Sequence, residues 1–396
     1  MPRFKRAARF KVSYIRKSEK PLFIISAIRV SQGGSLEVVS DLLLHLNRYY
    51  SDQFRFVAFV YRKSIYPPLD NIELREFTKS RNSFLYRIWM EYVGFFFISK
   101  RMKPDIWFSA QDSTPLVNAK HRYLYWGNAL PERGVVWSDL ILDKKVFFVS
   151  LLYKYLYSYN LKINDGVFVQ QQNVKNFILK NHRISENKVH IQPLNIQYNL
   201  SPSDISNSEK FVFIYPCYPY VYKNIELIID ASKYICDDKI ELWITANGNE
   251  NKYCSQLRRQ SKDIDCIKWI GFKSREEMKQ LYKSVQALLF PSVCESWGIP
   301  VSLFKKMQKP ILVSNLPYAK ETVGGYNKVK FISTNDPKEL GLSINQTAAG
   351  NIVFDITSPG SCDPENWSHM IELIKYESNP GNIRRLDLRP TIAESV

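Results

Sequence analysis

Two α/β domains, each a doubly wound parallel sheet and the pair facing each other across a cleft, are what this sequence predicts. Three observations carry that expectation. A chain of 396 residues, 45% of them hydrophobic, is too long for one ordinary domain and holds enough apolar material for two cores. Apolar runs of strand length alternate with helical patterns, the mark of βαβ units with helices on both sheet faces. Finally, a polar stretch at residues 198–209, YNLSPSDISNSE, interrupts the alternation once and reads as a linker.

Taken in order, the first-domain strands are expected at residues 22–27, 54–61, 105–109, 122–126, 166–170 and 189–193. Helical patterns fit between them at 35–46, 84–101 and 146–159. After the linker the alternation restarts, with strands at 211–215, 241–245, 267–270, 287–290 and 311–314, and helices at 224–235, 274–284 and 300–307. The predicted organisation is therefore a basic tail (1–20), a first domain (21–200), a linker (201–209), a second domain (210–376) and a tail (377–396). Open α/β sheets bind ligands outside the carboxyl ends of their strands, so the facing sheets predict a binding cleft there.

The formal charge of +17 brings phosphate-bearing partners into consideration: a nucleotide, a lipid headgroup or a nucleic acid. Nucleic acid ranks last, because no recognition motif is present and the aromatics sit in core-like runs instead of between basic residues. Six scattered cysteines without a Cys-x-x-Cys pair fit a reducing cytoplasm. No stretch approaches the roughly 20 uncharged apolar residues of a spanning helix, and the short apolar run after the basic tail lacks a signal-peptide cleavage site. Residues 84–103, FLYRIWMEYVGFFFISKRMK, are aromatic and end in Lys100, Arg101 and Lys103. Such a helix can lie in a membrane interface or simply pack on its domain, and the sequence leaves both readings open.

Chemistry concentrates at three strand ends. Residues 290–300, FPSVCESWGIP, close an apolar strand and open a helix. A carboxylate there, Glu295, can accept hydrogen bonds from a ligand's hydroxyls, while the amides of Trp297, Gly298 and Ile299 lie at a helix start, next to Ser296. Lys223, before Asn224 and a helix, places a cation where a helix N-terminus disfavours one, which argues for an anionic partner. In the first domain, Gly33 and Gly34 begin a helix directly after the first strand and expose amides to a phosphate.

Together these residues resemble glycosyltransferase family 4, whose donor motif reads PS-x-x-E-x-[FW]-G-x-P. Residues 213–216 with Lys223 and Asn224 resemble the family's first C-terminal strand and loop, Gly33 and Gly34 its N-terminal glycine loop, and residues 314–317 with Glu321 and Gly324 its last loop and helix. Residues 105–109, 123–131 and 169–171 are similar to a subgroup common in O-antigen and capsule loci. The resemblance implies a GT-B fold, retention of anomeric configuration, no bound metal and a nucleotide-sugar co-substrate. It implies that Glu295 and Lys223 meet the sugar and diphosphate, with Gly33, Gly34, Asn128, Tyr218, Asn224, Ser296, Trp297, Gly298 and Ile299 around the donor. It also implies a lipid-linked glycan acceptor at the anionic inner face of the cytoplasmic membrane.

Three positions depart from the family pattern. The second glutamate, eight residues after the first, is Leu303; the arginine before the phosphate lysine is Tyr218; the histidine before Asn128 is Gly127. These departures support an alternative, a catalytically inactive protein of the same fold acting as an assembly partner. Asp263 and Asp265 match an Asp-x-Asp metal motif only superficially, since they precede a strand in the wrong place.

Overall fold

The computed structural model describes residues 20–194, 209–357 and 367–378. The 1–19 tail, most of the expected linker and the last residues of the chain lie outside that range. Two parallel sheets organise the rest. The first contains β1 (Leu22–Ala27), β2 (Arg55–Val60), β3 (Ile72–Glu76), β4 (Ile106–Ser109), β5 (His121–Trp126), β6 (Gly166–Val169) and β7 (Val189–Ile191), in the order β3-β2-β1-β4-β5-β6-β7. The second contains β8 (Phe211–Tyr215), β9 (Ile240–Ile244), β10 (Ile267–Trp269), β11 (Ala287–Phe290), β12 (Ile311–Ser314) and β13 (Val329–Ile332), in the order β10-β9-β8-β11-β12-β13.

Both orders reverse direction beside their first strand. β1 pairs with β2 on one side and β4 on the other, and β8 pairs likewise with β9 and β11. Each reversal opens a crevice at the strand carboxyl ends, the place where doubly wound sheets hold ligands. Central strands are buried on both faces: Ile24, Ile25, Phe213 and Ile214 have lost essentially all contact with water. That explains why they read as continuous apolar runs and not as alternating ones. β3 and β13 were not anticipated. Both are short edge strands, and Glu73, Arg75 and Glu76 make β3 look like a polar loop.

The expected domain limits need one correction. Residues 367–376 were assigned to the second domain, yet the helix Trp367–Ser378 buries Trp367, Met370, Ile371 and Ile374 in the first-domain core beside Phe23 and Val38. Trp367 Nε1 donates to Asp41 at 2.8 Å, and its ring meets Tyr125 edge-on. The chain therefore returns to the first lobe, as the 3.6-residue spacing of those four apolar residues cannot by itself reveal.

The lobes touch through polar and apolar contacts. Arg275 pairs with Glu37 at 3.0 Å. The Gln171 amide donates to Tyr318 O and Thr322 Oγ1, both at 2.9 Å. The Gln172 amide N–H donates to the Glu321 carboxylate at 2.8 Å; burial pushes that carboxyl up. Val146 from the first lobe sits within the second-domain core, with Leu130 and Leu142 packed against it.

Candidate active site in the interdomain cleft

Two loops of the second lobe build the centre of the site. After β8 the chain makes a tight turn, Val221–Lys223, stopped by Asn224 in the left-handed region at φ 55°. Asparagine tolerates that conformation better than most residues, and here its side-chain amide donates to Thr334 O at 2.9 Å. The Tyr215 hydroxyl donates to Lys223 O at 2.7 Å. The loop after β11 is fastened to the same turn, because Val293 N donates to Tyr222 O at 2.9 Å and Ser292 Oγ to that oxygen at 3.2 Å.

These fastenings bring the Lys223 ammonium onto the Glu295 carboxylate in a direct ion pair. The two side chains are 13% and 16% exposed. An ammonium has three donors and a carboxylate several acceptor positions, but among the described residues each group hydrogen-bonds only to the other. Lys223 Nζ otherwise lies over the rings of Tyr222 and Phe290, at 5.5 and 5.8 Å from their centroids. Charges held this far from water are normally saturated with partners. Unsaturated, they are poised to exchange partners for a ligand.

Two helix starts border the pair. The helix Ile299–Lys306 begins at Gly298 in the left-handed region at φ 90°, with no side-chain cap and no acid in its first turn. The helix Gly33–Tyr49 begins at Gly33 with φ 68°, likewise without a side-chain cap or early acid. They meet across the cleft: a Cβ on Gly34 would stand 3.2 Å from Ile299 Cδ1. The Gly298 helix start shares the Phe290 ring with Lys223 Nζ, and the Gly33–Gly34 start stands opposite it on the other lobe, so uncapped N–H groups from both lobes offer a favourable setting for an anion.

The expected donor residues fare differently. Lys223, Asn224, Glu295, Gly298, Ile299, Gly33 and Gly34 gather at this cleft, with half-buried Ser296 beside Glu295. Trp297 was expected to contribute its backbone amide; its side chain turns away from the cleft. It is 3% exposed, packs in the first-domain core and donates from Nε1 to Ser302 at 2.9 Å. Asn128 is engaged internally, accepting from Leu130 N at 2.9 Å and donating to Tyr157 at 3.1 Å. Leu303 is 2% exposed within the second-domain core, so that helix position faces inward here. Asp263 and Asp265 lie before β10, at the strand end opposite the cleft. Among the described residues no three His, Cys, Asp or Glu side chains gather as a metal site.

Sequence reasoning overlooked an aromatic ladder. The ring of Tyr218 lies 4.6 Å from Tyr220, which stacks on Tyr222 at 5.3 Å, leading from the protein surface to Lys223. The recurrence of tyrosine at every second position, 218, 220 and 222, was the available signal, although the chain between them bends into the turn at Val221–Lys223. Burial pushes the Tyr220 hydroxyl up to about 12 and also raises Tyr222, with the Glu295 charge adding to it. Both stay neutral donors. Also overlooked was a first-lobe pair at the β1/β4 crevice, where Arg29 faces Asp112 at 3.5 Å.

The fold and this site define a GT-B architecture: two Rossmann-like α/β lobes enclosing a cleft, as in solved glycosyltransferases. Residues 199–351 match the family described as glycosyl transferases group 1. The chain is similar to the O-antigen chain mannosyltransferase RfbU of Salmonella typhimurium, 25% identical over 199 residues. That similarity covers 48% of this chain and 53% of RfbU, so the chain spans about half the length of the curated relative it matches. Among solved structures it resembles Anabaena Alr3699/HepE in complex with UDP and glucose, with a TM-score of 0.60, 14% identity, and 82% and 89% of the two chains covered. A glycosyltransferase from Rickettsia africae ESF-5 aligns over 91% of this chain and 99% of its own, with a TM-score of 0.61 and 14% identity.

Proposed function

We propose that this protein is a retaining glycosyltransferase that moves a sugar from a nucleotide-sugar to a lipid-linked oligosaccharide during bacterial surface polysaccharide synthesis, at the anionic inner face of the cytoplasmic membrane. The observation that carries the proposal is the unsaturated Lys223–Glu295 pair between two uncapped helix starts. Lys223 receives the donor diphosphate and neutralises the charge that grows as the glycosidic bond breaks. Glu295, released from Lys223, accepts hydrogen bonds from the sugar hydroxyls. The Gly33–Gly34 helix start completes the anion site from the other lobe. Positioning and fixed charge supply the rate, and no protein nucleophile is invoked. Similarity to an O-antigen mannosyltransferase supports the polysaccharide context.

A sugar-nucleotide panel tests this reading. A cognate donor raises the melting temperature by an amount that grows with the logarithm of its concentration above Kd, with a stabilisation of about 2.7 kcal/mol at a hundredfold excess over Kd. Glu295→Ala retains the fold and loses transfer; a fully active Glu295→Ala protein refutes the assignment. The burial of Leu303 favours a second reading, an inactive assembly partner lacking the usual ribose contact. Detectable sugar-nucleotide hydrolysis excludes that reading.

A further inference from the structure

The helical run from Phe84 to Met102 carries apolar side chains on both its inner and its outer side. Water-facing helices normally turn charge outward and apolar residues inward. Here Leu85, Trp89, Val93 and Phe97, spaced four apart, form an outward apolar stripe, with Leu85 79% exposed. Inward, Met90 and Phe95 join a core with Phe59 and Trp107, and beside them Glu91, 2% exposed on a π-helical turn Met90–Gly94, accepts from Ser113 Oγ at 2.7 Å and Gln111 Nε2 at 3.2 Å.

A second stretch repeats the outward apolar stripe. From residue 137 to 159, Trp137, Ile141, Phe148, Leu152 and Tyr155 are exposed, Ile141 to 84%, although Val146, Phe147, Tyr153 and Tyr157 on the same stretch are buried. The two stretches adjoin: Tyr92 meets Tyr159 edge-on at 5.3 Å, and Ile88 and Leu156 line one small cavity between them. Neighbouring helices thus expose more large apolar side chains than the scattered ones of an ordinary surface. Exposed Lys100, Arg101 and Lys103 fringe this face on one element, and exposed Lys144 and Lys145 on the other.

We propose that this face docks into an anionic lipid bilayer. The aromatic and aliphatic side chains enter the acyl boundary while the lysine and arginine fringe meets lipid phosphates. A second copy of the chain fits this face poorly, because a two-fold contact would bring its basic fringe against itself. No helix among the described residues is long and apolar enough to cross a membrane, which leaves this face lying on the surface. The element behind it is the same one whose inner side, through Leu142 and Val146, packs on the second lobe. The docking face does not rest on the transferase reading above.

Flotation of the full chain with vesicles of phosphatidylglycerol and phosphatidylcholine at low salt tests the proposal. Wild-type protein should float with mixed vesicles and much less with pure phosphatidylcholine. Trp89→Ser with Phe148→Ser, both at exposed positions, should keep the wild-type melting temperature and lose about tenfold in partition per aromatic removed. Lys144→Glu with Lys145→Glu should lose partition and its salt dependence together. Absence of wild-type flotation overturns the proposal, as does unchanged partition of the aromatic variant. So does a lipid-free dimer, seen by sedimentation, that Trp89→Ser with Phe148→Ser dissociates. Because flotation needs no sugar donor, failure of the transferase reading leaves this result intact and recognisable.

Discussion

Each lobe carries an oppositely charged pair at its sheet's reversal point, and the two pairs occupy equivalent places. Arg29 and Asp112 follow β1 and β4; Lys223 and Glu295 follow β8 and β11. All four side chains are mostly buried, so burial does not distinguish them. Partners do. Arg29 donates to Gln111 O at 3.3 Å and to the hydroxyls of Tyr157, at 2.8 Å, and Tyr153, and it lies over the Tyr153 ring. Asp112 accepts the Gly127 amide at 2.7 Å, and burial pushes its carboxyl up against the pull of Arg29. The first pair is saturated by its own lobe and fixes loop geometry, whereas the second retains unused donors and acceptors. Equivalent topology thus yields one pair saturated by its own lobe and one left with donors and acceptors to spare, and on the proposed function the second is the reactive one.

The largest expected effect lies on the reactive pair. Glu295→Gln keeps the shape and a hydrogen bond to Lys223 but removes the charge. Transfer assays with the cognate donor should show a loss of about a hundred- to a thousandfold, with unfolding free energy lowered by no more than about 2 kcal/mol, since the retained hydrogen bond and partial exposure limit the cost of leaving Lys223 without a counter-charge. A stability loss as large as the activity loss would make this pair structural too and abolish the contrast. Arg29→Met should do the reverse. It strands Asp112, for which about 2–3 kcal/mol is expected after allowing for its partial exposure and its remaining Gly127 bond. Urea melts should show that loss, while nucleotide binding by the folded variant should stay within about threefold of wild type.

Leu303 tests how far family expectation carries into the second lobe. Where a glutamate is usual, this chain buries leucine against its core, so Leu303→Glu should cost about 3 kcal/mol or more and leave donor affinity unrestored. Thermal melts with and without the donor separate the two effects. The same residue shows what was legible in the sequence. Glu295 and Gly298 could be placed because a contiguous motif fixes a strand end, a turn and a helix start by local rules alone, and Lys223 because it stands between an apolar strand and a helical pattern. Trp297 lies inside that motif, yet its side chain crosses into the other lobe's core, a contact no local pattern encodes. Trp367 is the parallel case: its helical spacing was visible, but its choice of core was not. Central strands such as 22–27 and 287–290 announced themselves by continuous apolar character. The edge strand β3, bearing three charges in five residues, did not.

Acid should separate the lobes as well. All five histidines, at 45, 121, 182, 190 and 369, lie in the first lobe or on the helix that returns to it, and residues 209–357 contain none. Burial, reinforced by Lys175 and His369, holds His190 down to about 4 from its ordinary 6.5, even with Glu377 3.6 Å away. A base depressed on folding binds fewer protons native than unfolded between those two values, so stability falls as pH drops from about 6.5 to 4 and is unaffected by this group above. Burial lowers His45 and His182 in the same direction. Hydrogen exchange followed across that range should therefore show first-lobe strands, β5 to β7 foremost, losing protection before β8, β11 and β12. His190→Asn should reduce the difference by removing its largest histidine contribution, while Glu377, present in both proteins, cancels in the comparison. Simultaneous loss of protection in both lobes would show that they unfold as one cooperative unit, coupled through Gln171, Glu321 and the Val146 contact, and that the lobes differ in chemistry without differing in stability.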